Sequence, residues 1–141
     1  MCGLLLENTF TSIAEMADHI FPWLHYVKHL LLRMYWPSIQ RIPNVRIPML
    51  FVVGSNDEIV PASHTGRLHN AAVLAPFKQI HQVAGGTHND TWLRGGKDYI
   101  YAIKDFIEKA QENSRGKGTS FSQTKQPTLG VPVQRKIAPL D

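Results

Sequence analysis

The sequence predicts an α/β fold built on a parallel sheet. Two short apolar runs, at residues 3–6 and 49–53, have the length of buried strands. Residues 77–83, with apolar residues at 77, 80 and 83, predict a third strand, and helical patterns alternate with the strands along the chain. Alternating strands and helices are typical of parallel sheets, whose strands are buried on both faces. Hydrophobic residues make up 43% of the 141 residues, which is enough for one domain with a packed core.

Two helical segments follow the first strand. Ser12 and Glu15 have the spacing of a capping box, in which the serine hydroxyl accepts from an early helix N–H and the glutamate reaches back. The apolar stripe over residues 24–34 predicts the second helix, which ends before Pro37 because the residue preceding a proline avoids the helical region. Since the first strand begins almost at the first residue, we expect the chain to start partway through a fold.

The remaining elements follow from the same patterns. The second and third strands end at glycines, and residues 62–72 between them predict a moderate helix. Apolar residues at helical spacing over 99–110 predict a final amphipathic helix. Beyond it, Gly, Ser, Thr, Gln, Pro and Lys dominate the composition. We therefore predict a folded part over residues 1–112 and a disordered basic tail over residues 113–141.

The formal net charge of +4 comes from this tail. Residues 113–141 hold five Lys and Arg against Asp141, whereas residues 1–112 are neutral overall. A neutral body argues against a nucleic-acid partner, and the tail has the composition of a solubilising segment. The single cysteine cannot form an internal disulfide. No run approaches the roughly 20 apolar residues of a membrane span, so no transmembrane segment is predicted in this chain.

Three histidines, His19, His25 and His29, raise the interpretation of a metal site. His25 and His29 stand four residues apart on a predicted helix, where both could face one ion. No glutamate follows His25 in the H-E-x-x-H manner, and no third ligand is evident. The sequence also has no glycine-rich loop of the phosphate-binding kind. We therefore expect neither a metal nor an organic cofactor.

Residues of catalytic type follow two of the predicted strands. Asp57 lies in the turn after the second strand, and His88 follows Gly85-Gly86 after the third. Because the carboxyl ends of parallel strands meet at one edge of a sheet, we expect these two side chains to lie close together. A carboxylate that accepts the Nδ1–H of an imidazole makes the other ring nitrogen a general base. Glu58 is the alternative acid, and Asp90 is expected to cap the next helix.

The stretches LLLENTFTSIAEMA, PMLFVVGSNDEIVP and GGTHNDTW together resemble the C-terminal half of α/β-hydrolase fold proteins, most closely the group around α/β-hydrolase domain-containing protein 13. The resemblance covers residues 3–110. It implies a serine hydrolase in which Asp57 is the triad acid and His88 the base, with a cap-like region over residues 13–47. It places residues 4–6 in the sixth strand of an eight-stranded sheet. It also implies an ester or thioester substrate and an endomembrane location.

The sequence departs from this family in one important respect. The nucleophile of such enzymes lies on a G-x-S-x-G turn, and none of the seven serines has glycines at that spacing. The oxyanion loop and the family's N-terminal membrane-anchoring helix are not found either. We therefore expect a partial hydrolase that is inactive alone. Two alternatives are a non-catalytic protein that pairs with a full-length hydrolase, or with itself, through the open strand edge at residues 4–6, and a small ligand-binding module.

Overall fold

The computed structural model describes residues 2–21, 23 and 36–119. The predicted second helix over residues 24–34 lies outside this part of the chain, as do the last 22 residues of the predicted tail. The cap-like region over residues 13–47 is therefore described only at its two ends, and its role as a cap stays a prediction.

The sheet consists of three parallel strands, β1 (Leu4–Glu7), β2 (Met49–Gly54) and β3 (Lys78–Val83), in the order β1-β2-β3. Leu4 pairs with Met49, and Met49 in turn pairs with Lys78, so the three strands start level with one another. The prediction of an α/β fold with three parallel strands is confirmed. Since the strands run in one direction, their carboxyl ends all lie at the same end of the sheet.

The central strand β2 is buried on both faces, and its side chains alternate between two apolar clusters. Helices cover the two faces in the manner of a three-layer α/β domain. The helical elements of the described chain are α1 (Ile13–Ile20), α2 (Ser38–Arg41), a 3₁₀ turn (Ile42–Asn44), α3 (Ala62–Ala71) and α4 (Thr91–Thr119). One cluster contains Leu50 and Val52 with Tyr99, Phe106 and Ala110 of α4; the other contains Met49 and Phe51 with Ile42, Leu68 and Ala72.

Half of the predicted capping box forms at the start of α1. The Ser12 hydroxyl accepts from the N–H of Glu15 at 3.2 Å, as predicted. The Glu15 carboxylate forms an ion pair with Arg67 of α3, because the fold brings a guanidinium to it. This ion pair joins α1 to the helix that follows β2.

The helix α4 is longer than predicted at both ends. It begins at Thr91 and is interrupted at Gly96, whose φ of 50° and ψ of −126° are not helical. It continues to Thr119, so the first seven residues assigned to the disordered tail are helical. Arg115 lies near its C-terminal end, where a cation suits the negative end of the helix dipole. None of the described helices is both long and apolar enough to cross a membrane.

The outer edge of β1 has no neighbouring strand within the described residues. Leu5, on this edge strand, is 36% exposed. At the opposite edge, Ile80 of β3 is 44% exposed, but charged and polar residues surround it along the strand. The β1 edge is thus the more apolar of the two.

Candidate active site

Asp57 lies in the turn that follows β2, and its carboxylate is fully buried. Its Oδ1 accepts from the backbone N–H of Ile59 at 2.9 Å and of Val60 at 2.8 Å. Side chains of Asp commonly bond to backbone groups two or three residues ahead in this way. The two bonds fix the rotamer of Asp57 and leave Oδ2 directed away from its own turn.

His88 lies beside Asp57 at the carboxyl ends of the strands. Its Nδ1 lies 2.9 Å from Asp57 Oδ2, and its side chain is 30% exposed. The two residues predicted as acid and base are therefore in direct contact. Glu58, the alternative acid, is exposed to solvent.

The contact determines which nitrogen of His88 carries the proton. A carboxylate oxygen accepts, so Nδ1 donates and the neutral ring leaves Nε2 as its basic nitrogen. A proton taken up at Nε2 creates an imidazolium beside a buried carboxylate, which stabilises the new charge. The pair can thus serve as a general base and then as a general acid.

A close backbone contact brings the two strand ends together. A Cβ atom at Gly54 would overlap the carbonyl group of Gly86, so this approach requires glycine. The same carbonyl accepts from the N–H of Asn56 at 2.9 Å, and the Val83 carbonyl accepts from the N–H of Ser55 at 3.0 Å. These bonds fix the turn that carries Asp57 against the turn that leads to His88.

Asn8 forms a second link, which the sequence did not identify as part of the site. It follows β1, is buried, and its side-chain amide bonds to Gly54 and to the loop that contains His88. Its position at a strand end close to the expected site was the available signal. Asparagine at such a position most often satisfies loop backbone groups, and here the groups it satisfies belong to the site.

Asp90 directly precedes α4, and its carboxylate turns back over the His88 loop. It accepts from the Thr87 N–H at 2.6 Å and from the Thr87 hydroxyl at 2.8 Å. Arg94 donates to its other oxygen at 2.6 Å. Arg94, followed by the two bonds from Thr87, lowers the pKa of Asp90 to about 2. Asp90 therefore closes the loop around His88, and it does so as an anion.

A cleft of about 390 Å³ opens beside His88. Its walls are mainly apolar and come from the end of β1 and the loop that follows it, from α1 and from the turn after Asp57. Such a cleft, apolar with a few polar groups at one end, has the character of a small-molecule site. The lining residues are Glu7, Asn8, Thr9, Phe10, Met16, Ile20, Ile59, Val60 and His88.

The described residues contain no group of three side chains that could hold a metal ion. His19 is exposed at the end of α1. His25 and His29 lie outside the described part of the chain.

No family model matches the chain. It is 34% identical over 129 residues to the α/β-hydrolase domain-containing protein WAV2 of Arabidopsis thaliana, which covers 83% of this chain and 42% of that protein. It is 36% identical over 113 residues to protein bem46 of Schizosaccharomyces pombe, covering 79% and 37% of the two chains. A thermophilic esterase from Thermogutta terrifontis superposes with a TM-score of 0.52 at 15% identity, over 77% of this chain and 56% of that one. The chain has the α/β-hydrolase fold.

The α/β-hydrolase relatives extend well beyond the matched region. The chain spans about two fifths of the length of WAV2 and of bem46. The likeness to the α/β-hydrolase domain-containing protein 13 group in particular stays a prediction. Within the α/β-hydrolase fold, the pair of Asp57 and His88 at the carboxyl ends of neighbouring strands occupies the edge where chemistry is expected.

Proposed function

We propose that this chain carries the acid and the base of a serine-hydrolase triad. One observation carries the proposal: His88 Nδ1 lies 2.9 Å from a fully buried Asp57 carboxylate in an α/β-hydrolase fold. The order of acid and then histidine along the chain is that of the second and third triad members in α/β-hydrolases. Asp57 is the orienting acid, and His88 is the general base.

The proposed reaction is acyl transfer to water. His88 Nε2 takes the proton of a serine hydroxyl as its oxygen bonds to the carbonyl carbon, and the imidazolium returns that proton to the departing alcohol or thiol. In the second half, water bonds to the acyl carbon while its proton passes to Nε2, and the imidazolium returns that proton to the serine oxygen as the carboxylic acid is released. Asp57 stays ionised throughout and stabilises the imidazolium.

The substrate of this reaction is proposed to be an ester or a thioester. The apolar cleft beside His88 suits an uncharged acyl group, because its walls include Met16, Ile59 and Val60. No metal or organic cofactor enters the proposed steps.

The serine must come from outside these 141 residues, which contain no G-x-S-x-G turn. The chain alone is therefore proposed to be inactive towards esters. A fluorophosphonate probe, which bonds covalently to activated serines, should leave the isolated chain unlabelled. A stoichiometric adduct on it would contradict this part of the proposal.

Complementation provides the positive test. The chain is expressed together with a segment of a longer relative that lies outside the matched region and carries a G-x-S-x-G turn. We expect the fluorophosphonate probe to label the serine of that segment and p-nitrophenyl esters to be hydrolysed. His88→Ala should abolish both signals, because the serine then has no base.

His81→Ala is the matched control, because His81 lies in β3, shortly before His88 in sequence, and does not belong to the proposed acid–base pair. It should leave labelling and hydrolysis unchanged. Equal labelling with His88→Ala and with the unchanged chain would overturn the proposed role of His88.

A second candidate is favoured by the unpartnered edge of β1. Within the described residues no strand pairs with this edge, and an unpaired strand edge that carries the partly exposed Leu5 invites pairing with another strand. We propose that this edge mediates association with a full-length hydrolase or with a second copy of the chain. Such a chain acts as a binding protein without turnover.

Sedimentation velocity tests this second candidate. Leu5→Lys places a charge on the β1 edge and should reduce self-association. Ile80→Lys makes the same change on the opposite edge strand, where the exposed fraction is similar, and should have little effect. A monomer at all concentrations that also fails to bind the longer relative would exclude the binding function.

A further inference from the structure

We propose that Asn8 is the positioning residue of His88. Its carboxamide joins the end of β2, which leads to the acid, to the loop that carries the base. This inference deepens the proposed function and rests on the assignment of His88 as the base. Asn8 acts only through the backbone of that loop, so it is not itself catalytic.

The backbone of Asn8 is in an unfavourable conformation. Its φ of 43° lies in the left-handed region, which non-glycine residues seldom adopt, although asparagine tolerates it better than most. Its N–H is nevertheless bonded to the Val52 carbonyl at 3.0 Å. Strain of this kind persists where the surrounding contacts hold it, and it concentrates at functional sites.

The side chain of Asn8 is buried, at 7% exposure, and both ends of its amide are used. Oδ1 accepts from the Gly54 N–H at 3.0 Å, while Nδ2 donates to the His88 carbonyl at 3.0 Å. Nδ2 also lies 2.8 Å from Thr91 Oγ1 and 3.4 Å from the Thr87 carbonyl. The orientation of the amide follows from these partners, since a backbone N–H needs an acceptor and carbonyls need a donor.

Thr91 also holds the His88 loop, and we call the bonds that Asn8 and Thr91 make to this loop and to Gly54 the clamp. Thr91 is fully buried, and its hydroxyl donates to the Thr87 carbonyl at 2.6 Å while accepting from Asn8. The loop is therefore held at two successive carbonyls, those of Thr87 and His88, by two buried side chains.

The clamp fixes the distance between the backbone that carries Asp57 and the backbone that carries His88. Gly54 lies three residues before Asp57, and Asn8 bonds directly to Gly54 and to His88. The amide of one residue thus sets the backbone that carries the acid against the backbone that carries the base. Loss of the clamp should leave Asp57 in place, because Ile59 and Val60 hold it independently, and should loosen His88.

The test uses the full 141-residue chain and reads the His88 ring directly. Long-range ¹H–¹⁵N NMR at about pH 8, above the ordinary pKa of a histidine side chain, gives the ratio of the Nδ1–H to the Nε2–H tautomer. The Asn8→Gly variant removes the clamp and also relieves the φ strain, since glycine accepts a positive φ. We expect the tautomer ratio of His88 to fall by about tenfold, the loss expected when a net hydrogen-bond contribution is removed.

Two controls separate positioning from general stability. Asn44→Gly makes the same change at an exposed asparagine in the 3₁₀ turn that precedes β2, outside the bonds that hold the His88 loop, and should leave the His88 ratio unchanged. If Asn8→Gly does not fold, Thr91→Val and Thr91→Ser replace it. Valine keeps the volume but removes the hydroxyl and should shift the ratio in the same direction, whereas serine keeps the hydroxyl and should restore the wild-type ratio.

A wild-type tautomer ratio in Asn8→Gly or in Thr91→Val, together with a lowered unfolding midpoint, would show a merely structural role and overturn the inference. The measurement needs neither a serine nor turnover. Failure of the proposed function would instead appear in the complementation assay, as labelling that survives His88→Ala.

Discussion

His88 and His64 occupy two regions of this molecule in which the same ring is used in opposite ways. His88 Nδ1 donates to the Asp57 carboxylate, so Nε2 is its basic nitrogen. His64, in α3, lies with its Nδ1 3.4 Å from the Thr11 N–H and 2.7 Å from the Thr11 hydroxyl. Since a backbone N–H only donates, Nδ1 of His64 accepts and its proton is on Nε2.

The two histidines also differ in their exposure to solvent. His64 is 7% exposed as a residue, and burial lowers its pKa, with Glu15 opposing the effect and Arg67 assisting it. The His88 side chain is 30% exposed at the edge of a cleft. The partner of Nδ1 and the access of solvent, rather than the residue type, separate the histidine proposed here as a base from one that packs in the core.

The substitution Asp57→Asn should convert the first kind of histidine into the second. The amide can still accept from Ile59 and Val60, but it presents an N–H to His88 and forces Nδ1 to accept, as in His64. In the complemented hydrolase we expect a fall in ester hydrolysis of about 10⁴-fold, the size associated with the wrong tautomer in serine-protease triads. The rate of p-nitrophenyl ester hydrolysis measures it.

Two readouts accompany that experiment. The ¹⁵N chemical shifts of His88 should show that its proton has moved from Nδ1 to Nε2, while the ¹⁵N shifts of His64 should not change. Full activity with Asp57→Asn would mean that the contact between Asp57 and His88 is structural only.

His64→Ala tests the other half of the comparison. It removes a buried ring and leaves Thr11 without its partner, so we expect a loss of about 2–3 kcal/mol in the free energy of unfolding. Urea denaturation monitored by circular dichroism measures the loss. The tautomer of His88 should not change, and His69→Ala, a partly exposed ring on the same helix, should cost less. A change at His88 would show that the two regions are coupled.

The pH dependence of stability gives a smaller effect that also differs between the two regions, the surroundings of His64 and the His88 loop, which contains Asp90. The pKa of His64 is lowered by burial from its ordinary value of 6.5, so the unfolded chain binds that proton more tightly. Its contribution to stability is complete above pH 6.5 and is lost as the pH falls from there toward the lowered value. The pKa of Asp90 is lowered to about 2 from 3.8, so its contribution is lost only below pH 3.8.

Unfolding free energies measured between pH 7 and pH 5 should therefore decline in the wild type. The decline should be smaller in His64→Gln, which cannot take up the proton. The same slope in both proteins would assign the effect to another group.

The sheet and the acid–base pair were accessible to sequence reasoning because both rest on local patterns. Short segments with apolar residues predict the strands, and the strand ends predict that Asp57 and His88 lie at the same end of the sheet. The spacing of Ser12 and Glu15 predicted the cap of α1 but not the second partner of Glu15. That partner, Arg67, is 52 residues away in sequence, and no local pattern encodes the pairing.

The clamp on the His88 loop was inaccessible for the same reason. Asn8 and Thr91 are separated by 83 residues, and their bond exists only once β1 is packed beside β2. The length of α4 was missed for a different reason, because Gly, Ser and Lys after residue 112 have the composition of a loop. A helix that has already formed needs no new nucleus to continue, so α4 extends into this segment.

The contact between Gly54 and Gly86 carries a consequence for how such a site can vary. It is made by backbone atoms alone, and a side chain at Gly54 would push the two strand ends apart. The approach of these two strand ends therefore does not depend on which side chains line the cleft. The cleft walls can be exchanged to suit a different acyl group without resetting the pair, whereas a single methyl group at Gly54 would disturb it. Libraries that vary Met16 and Ile59 should thus yield many folded members, and those that vary Gly54 should yield few.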